Sequence, residues 1–195
     1  MPAHKDELRA ASAAVRARRK GTARKRELDE AIGRHARDLV ETFERSLGHS
    51  PTVAAYHPLP SEPGGVTLLA SISNANVLLP RSLPGGVLEW AWSNHDLVPG
   101  AFGISEPQGP ALGSDVLARC DLILLPALRV DRLGTRLGKG AGYYDRALAA
   151  ASPACPLVAV VYDEELHGAD DPLPRDPHDV AVTAALTPLG YHPFG

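Results

Sequence analysis

Cysteine is scarce in this chain. Only Cys120 and Cys155 occur among 195 residues. The first enters one apolar stretch and the second precedes another, positions at which cysteine usually serves as a small buried side chain. The chain has neither a CxxC pair nor a cluster of cysteine with histidine. We therefore expect both thiols to fill the core, and we do not expect a zinc site.

Long hydrophobic runs and aromatic residues are also few. No apolar run approaches the ~20 residues that span a bilayer, and no apolar segment follows the charged N-terminus. We therefore expect no membrane span, no secretory signal and a cytoplasmic location. Although 12 of the 20 Lys and Arg residues lie in the first 45 positions, acidic residues are interleaved with them and aromatic residues make up only 5% of the chain. This pattern disfavours an RNA-binding arm, and no nucleic-acid partner is expected.

The length and the hydrophobic pattern predict one α/β domain. A chain of 195 residues with 44% hydrophobic residues is long enough for one sizeable core and short for two. We expect a single domain over 1–195, in which helices within 1–48 pack on an α/β core formed by 50–195. Leu8, Ala11 and Val15 predict an amphipathic first helix, and Thr22 can cap the second. Periodicity predicts further helices over 66–72 and 142–152, and strands over 52–56, 77–81, 87–92, 121–126 and 157–162.

One glycine-rich stretch carries a chemical signal. Residues 136–146 read R-L-G-K-G-A-G-Y-Y-D-R, after a buried strand and before a helix. Alternating glycines let backbone amides approach an anion closely, which is typical of phosphate binding. A P-loop is excluded, because only three residues separate Gly134 from Gly138-Lys139 and Gly140 stands where a hydroxyl is needed. A dinucleotide fingerprint is excluded too, because its third glycine would fall on Tyr143.

The same stretch resembles the signature of the 5-formyltetrahydrofolate cyclo-ligase family, R-L-G-x-G-x-G-Y-Y-D, without a gap from Arg136 to Asp145. An N-terminal K-x-x-L-R element of that family is matched by residues 5–9. The resemblance implies a catalytic role for Arg136, Lys139 and Tyr144. It implies an ATP site formed by Lys5, Leu8, Arg9, Arg136, Leu137, Gly138, Lys139, Gly140, Ala141, Gly142, Tyr143 and Tyr144. Position 141 departs from the family, whose members commonly carry Gly or Lys there.

Further elements extend the resemblance over nearly the whole chain. The loop glutamate Glu62, the F-G-I-x-E-P element at 102–107 and the His178-Asp179 pair each match a family feature. Together they imply a folate site that comprises His57, Glu62, Trp90, Glu106, Lys139, Gly140, Gly142 and Tyr143. They also imply that Asp145 and Asp179 hold Mg²⁺. Whether Trp90 lines the pterin pocket or fills the core stays open, as do the separate roles of Tyr143 and Tyr144.

The implied fold is a single three-layer α/β domain with a largely parallel sheet, like that of sugar-phosphate isomerases and CoA transferases and broadly Rossmann-like. The implied reaction converts 5-formyltetrahydrofolate to 5,10-methenyltetrahydrofolate with hydrolysis of ATP. Expected partners are ATP, Mg²⁺ and the folate in mono- or polyglutamylated form, and we expect a monomer. Three alternatives stay open: another enzyme on this fold, a catalytically silent relative that binds nucleotide or folate, and a nucleic-acid-binding module.

Overall fold

The computed structural model describes residues 2–195. Its α-helices are α1 (Pro2–Arg19), α2 (Ala23–Leu47), α3 (Thr67–Ser71) and α4 (Tyr143–Leu148). Within these residues, no helix combines the length and the apolar character needed to cross a membrane. Its strands are β1 (Thr52–Ala54), β2 (Asn76–Leu83), β3 (Val87–Trp92), β4 (Leu97–Pro99), β5 (Ser105–Pro107), β6 (Leu122–Pro126), β7 (Arg129–Asp131), β8 (Arg136–Leu137), β9 (Leu157–Val160), β10 (Leu166–His167), β11 (Ala184–Thr187) and β12 (Gly190–Pro193).

Seven strands form the central sheet, in the order β12-β11-β9-β6-β1-β2-β3. The five inner strands run parallel to one another, whereas the edge strands β12 and β3 are antiparallel to their neighbours. In β6, Leu122 and Leu124 belong to one core cluster, while Ile123 and Leu125 belong to the other. Because successive strand residues face opposite sides, the sheet has a core on each face. The predicted three-layer α/β fold is confirmed.

Helix α2 covers one face of the sheet. Its residues Leu28, Ile32 and Ala36 join the first core cluster, together with the strand residues on that face of the sheet. As predicted, Thr22 is the N-cap, and its side chain accepts a hydrogen bond of 3.1 Å from the Lys25 amide. Gly48 ends the helix at φ 75°, a left-handed conformation that favours glycine. Both ends of α2 are therefore set by local sequence.

Helix α1 docks through a polar face, which corrects the prediction. Its buried residues are Lys5, Ser12 and Arg16. Of the predicted apolar stripe, Leu8 and Val15 are only half-buried, and Ala11 is exposed. The reason is the surface beneath the helix, which consists of acid-bearing loops at the carboxyl ends of the strands rather than of the apolar sheet.

The structure differs from the predicted elements in two further ways, the length of α4 and the presence of two short antiparallel strand pairs. Helix α4 ends at Leu148, short of the predicted residue 152, because the amides of Ala150 and Ala151 bond three residues back and Pro153 follows. The antiparallel pairs β4–β5 and β11–β12 have no counterpart in the predicted elements. Their strands are three or four residues long, too short for a clear alternation of apolar residues.

A buried polar network joins α2 to the loop after β1. The Asp29 carboxylate accepts hydrogen bonds from the Lys25 ammonium, the Gly64 amide at 3.0 Å and the Tyr162 hydroxyl at 3.2 Å. Lys25 also donates to the Glu62 carbonyl at 3.0 Å. The network fixes the loop that carries Glu62, because each charged group is paired inside the protein.

We expect the substitution Asp29→Ala to lower the free energy of unfolding by about 3–5 kcal/mol, because it leaves the buried Lys25 ammonium without its partner. The control is Asp38→Ala on the same helix, whose side chain is 73% exposed, and which should change stability by less than ~0.5 kcal/mol. Urea unfolding followed by circular dichroism measures both. Equal effects of the two substitutions would contradict this role of Asp29.

Candidate active site

A cavity of about 740 Å³ lies at the carboxyl ends of the central strands. Its walls come from α1, the loop after β1, the ends of β2 and β6, the glycine loop 138–142 and the segment 176–179. Ligands bind at this edge in open α/β sheets. From the predicted site it gathers Lys5, Arg9, His57, Glu62, Arg136, Leu137, Gly138, Lys139, Gly140, Ala141, Gly142, Tyr143, Tyr144, Asp145 and Asp179.

The glycine loop connects β8 to α4 and is held in place by two arginines. Arg9 donates from Nε to the Gly138 carbonyl at 3.1 Å, and its guanidinium lies where a side chain at Gly140 would crowd it. Arg146 donates to the Ala141 carbonyl at 2.8 Å and to the Gly86 carbonyl at 2.9 Å. The loop is therefore tied to α1 on one side and to α4 on the other.

Three of the cations in the cavity are paired with acids that also line it. The Lys5 ammonium lies 2.7 Å from Asp176 and 2.8 Å from Asp179. Arg136 contacts Asp145 at 2.6 Å, and Lys139 contacts Glu62 at 2.7 Å. In each pair the cation is a predicted phosphate ligand, and at least one acid is a predicted metal or folate ligand. The cations and acids of the site are therefore paired with one another within the protein.

Electrostatics favour the charged form of Asp179 and the neutral form of Tyr144. Burial opposes ionisation of Asp179, but the Asp176 amide and the Lys5 ammonium outweigh it and lower its pKa. Burial raises the pKa of Tyr144, the carboxylate of Glu62 raises it further, and Arg136 only partly offsets them. Near neutral pH, Tyr144 is therefore a hydrogen-bond donor rather than a base.

The carboxylates near α1 could hold a divalent cation. Among the described residues, Asp176, His178 and Asp179 offer ligand atoms within 4.8 Å of one another. Asp145 lies beside this segment, since its Oδ1 is 3.4 Å from the Val180 amide nitrogen. An ammonium already stands between Asp176 and Asp179, so the position favours positive charge. Carboxylate oxygens are the ligands that Mg²⁺ prefers, so the carboxylates of Asp176 and Asp179 fit that ion, whereas the imidazole of His178 suits other metals better.

Three predicted site residues lie outside the cavity lining. Leu8 is half-buried on α1, and Trp90, only 1% exposed, packs in the second core cluster. Glu106 accepts a hydrogen bond of 2.9 Å from the amide of Ser82, which itself lines the cavity. Glu106 therefore contacts the backbone of a lining residue without lining the cavity itself. Trp90 fills the core, which is the second of the two interpretations left open by the sequence.

The structure also adds residues to the cavity that the sequence did not reveal. Arg16, Asp176 and Arg146 line it with the predicted set. Asp176 carried a weak signal, since it precedes Asp179 by three residues in a loop. Arg16 shares a helix face with Lys5 and Arg9, but a pattern based on apolar spacing does not register a charged face. Their detection required the position of α1 on the sheet.

Comparison with known proteins identifies the family of this chain. A model of the 5-formyltetrahydrofolate cyclo-ligase family matches residues 2–188. The 5-formyltetrahydrofolate cyclo-ligase of Mycolicibacterium smegmatis is 46% identical over 145 residues, which cover 70% of this chain and 73% of that protein. The mitochondrial enzyme of the same name from Arabidopsis thaliana is 36% identical over 114 residues, 51% of this chain and 41% of that protein.

Solved structures show the same fold. The NMR structure of 5,10-methenyltetrahydrofolate synthetase from Aquifex aeolicus has a TM-score of 0.77 at 28% identity, and the match covers 97% of this chain and 92% of that one. The synthetase of Mycoplasma pneumoniae has a TM-score of 0.69 at 20% identity, with 94% and 98% covered, and shows the fold alone. With the family model and the relative from Mycolicibacterium, they establish that this chain belongs to the 5-formyltetrahydrofolate cyclo-ligase family.

Proposed function

We propose that this chain converts 5-formyltetrahydrofolate to 5,10-methenyltetrahydrofolate in an ATP- and Mg²⁺-dependent reaction that releases ADP and phosphate. The observation that supports it best is that the glycine loop, the cations of α1 and the acids of 176–179 line one and the same cavity. Proteins that this chain matches are named for this ligase or synthetase activity. A single-domain monomer in the cytoplasm stays a prediction.

The chemistry needs an activated formyl oxygen. That oxygen is a poor leaving group, so in the proposed reaction it first takes the γ-phosphoryl group of ATP. The neighbouring anilino nitrogen then attacks the formyl carbon and closes the ring, and the oxygen departs as phosphate. The protein contributes positioning and charge neutralisation rather than a covalent intermediate of its own.

Named residues would divide this work. Lys5, Arg9, Arg136 and Lys139 would face the phosphates, with the amides of the glycine loop between them. Tyr144, protonated near neutral pH, would donate a hydrogen bond to an oxygen of the reacting group. Asp145 and Asp179 would hold Mg²⁺, which would offset the negative charge of the phosphates. Glu62 and His57 would contact the folate from the loop after β1.

The proposed activity is tested by mixing the protein with 5-formyltetrahydrofolate, ATP and Mg²⁺ and recording the absorbance of 5,10-methenyltetrahydrofolate. We expect product only in the complete mixture, with one ADP released per turnover. Omission of ATP or of Mg²⁺ provides the controls. A folded protein that binds both substrates without forming product would favour the silent relative instead.

Lys139 is suited to a test of the phosphate loop, because its side chain is 54% exposed. Its partner Glu62 is buried, so the unfolding midpoint of the variant is measured beside its kinetics. Arg136 is less suitable, because it is buried against Asp145. We expect Lys139→Gln to lower kcat/KM for ATP about tenfold, the lower end for a charge-assisted hydrogen bond. The control, Arg132→Gln, removes an exposed cation outside the cavity. Unchanged ATP kinetics in Lys139→Gln would remove Lys139 from the site.

The metal assignment is tested by Mg²⁺ titration of activity in Asp145→Asn and Asp179→Asn. Each change keeps the side-chain shape but removes one negative charge, so both midpoints should move to higher Mg²⁺. The double variant should cost less than the sum of the two, since both residues would serve one ion. Asp170→Asn, an exposed acid near the same segment, is the control. An unshifted midpoint in either variant would assign that carboxylate to its ion pair alone.

A further inference from the structure

A second cavity of about 490 Å³ adjoins the first. The two share part of their lining, and Arg9, Arg16 and Lys139 belong to both. Lys20 and Glu62 complete the charged lining of the second cavity. The lining therefore contains four cations and one acid, and that acid is paired with Lys139 at 2.7 Å. Arg9 and Arg16 also contact Asp6 and Glu165, two acids that do not line the cavity. This composition favours a negatively charged group.

Arg16 stands at the junction of the two cavities and is only 3% exposed. Its Nε and Nη2 donate to the two oxygens of Glu165 at 2.7 and 2.6 Å, and Nη2 also donates to the Ala127 carbonyl at 2.6 Å. These bonds hold the guanidinium plane in one orientation. These hydrogen bonds of Arg16 use Nε and Nη2 and none of them uses Nη1, so the Nη1 edge of the guanidinium is available at the junction that Arg16 lines.

A purely structural role does not account for this arrangement. The contact between α1 and Glu165 uses only Nε and Nη2 of Arg16. On the same helix, Arg19 already contacts Glu164 in the adjoining turn. Ala13 and Ala17 flank Arg16 in the lining of the second cavity. The two alanines lie four residues apart on one face of α1, and their small side chains leave room beside the guanidinium. Space, charge and a free donor therefore coincide at one point.

We propose that Arg16 is an additional substrate-binding residue, whose Nη1 donates to an oxyanion at the junction of the two cavities. The inference rests on the proposed function for the identity of that oxyanion. A carboxylate of the folate glutamate tail and a phosphate of ATP have the required chemistry, and both belong to the proposed substrates. The second cavity gives the bound group, or the chain attached to it, a way out past Lys20.

The test compares Arg16→Lys with Arg19→Lys in the full chain. Arg16→Lys keeps a positive charge beside Glu165. Because an ammonium lacks the planar fork of a guanidinium, it cannot bind that carboxylate and an oxyanion at the junction at the same time. Arg19→Lys makes the same change at a position that lines neither cavity. A second variant, Arg16→Met with Glu165→Gln, removes the cation without leaving a buried charge unpaired. Unfolding midpoints are measured for all of them.

Three kinetic measurements distinguish the folate carboxylate from the ATP phosphate as the bound oxyanion. They are KM for the monoglutamyl folate, KM for a polyglutamyl folate and KM for ATP. We expect the Arg16 variants to raise KM for one class of substrate about tenfold while kcat changes less, and Arg19→Lys to raise none. A rise for the folates assigns a tail carboxylate, and a rise for ATP assigns a phosphate. Folded Arg16 variants with all three KM values unchanged would overturn the proposal and leave Arg16 a structural residue.

The proposed function is tested separately, by turnover of the wild-type protein. If the wild type lacks turnover, binding of 5-formyltetrahydrofolate and of ATP is measured by calorimetry on the same variants. Loss of affinity in the Arg16 variants would then still support the oxyanion site, whereas unchanged affinity would reject it.

Discussion

Pairing of buried charges between α1 and the loops of the sheet is the interaction on which the site depends. Lys5 reaches Asp176 and Asp179, and Arg16 reaches Glu165. Ions removed from water are costly unless they are paired and hydrogen-bonded, so this face of α1 has a favourable position only where acids meet it. The pairs give the helix a unique position, and they bring its cations to the carboxyl ends of the strands, next to the glycine loop.

The same ion pairs suit a site in which phosphates replace carboxylates at the cations. Lys5, Arg136 and Lys139 each lie against carboxylates, and the proposed ligands bring both phosphate groups and a divalent cation. In the proposed complex, phosphates would replace the carboxylates at these cations, and the released Asp145 and Asp179 would hold the metal. Those two carboxylates would then not stay unpaired in a poorly solvated cavity, in which an unpaired charge is costly. A nucleotide and a metal that bind together leave the net charge of the site nearly unchanged, which favours their joint binding.

Sequence reasoning was most successful where one local pattern determines one structure. The buried run at 122–125, the cap at Thr22 and the glycine loop before α4 were predicted because strand burial, capping and positive φ leave direct marks in the residues. It failed where the environment comes from distant segments. The docking face of α1 is polar because acids some 150 residues away lie beneath it, and alternation along β3 could not tell that Trp90 faces the core.

Affinity for MgATP in the double variant Lys5→Gln, Arg9→Gln tests most directly whether α1 completes the nucleotide site. Calorimetric titration of the full chain measures it, with Arg18→Gln, Arg24→Gln as the control, since both of those side chains are exposed on neighbouring helices. The account predicts at least a tenfold loss of affinity, the worth of roughly one charge-assisted hydrogen bond, in a protein that still unfolds cooperatively. Wild-type affinity in the double variant would contradict it.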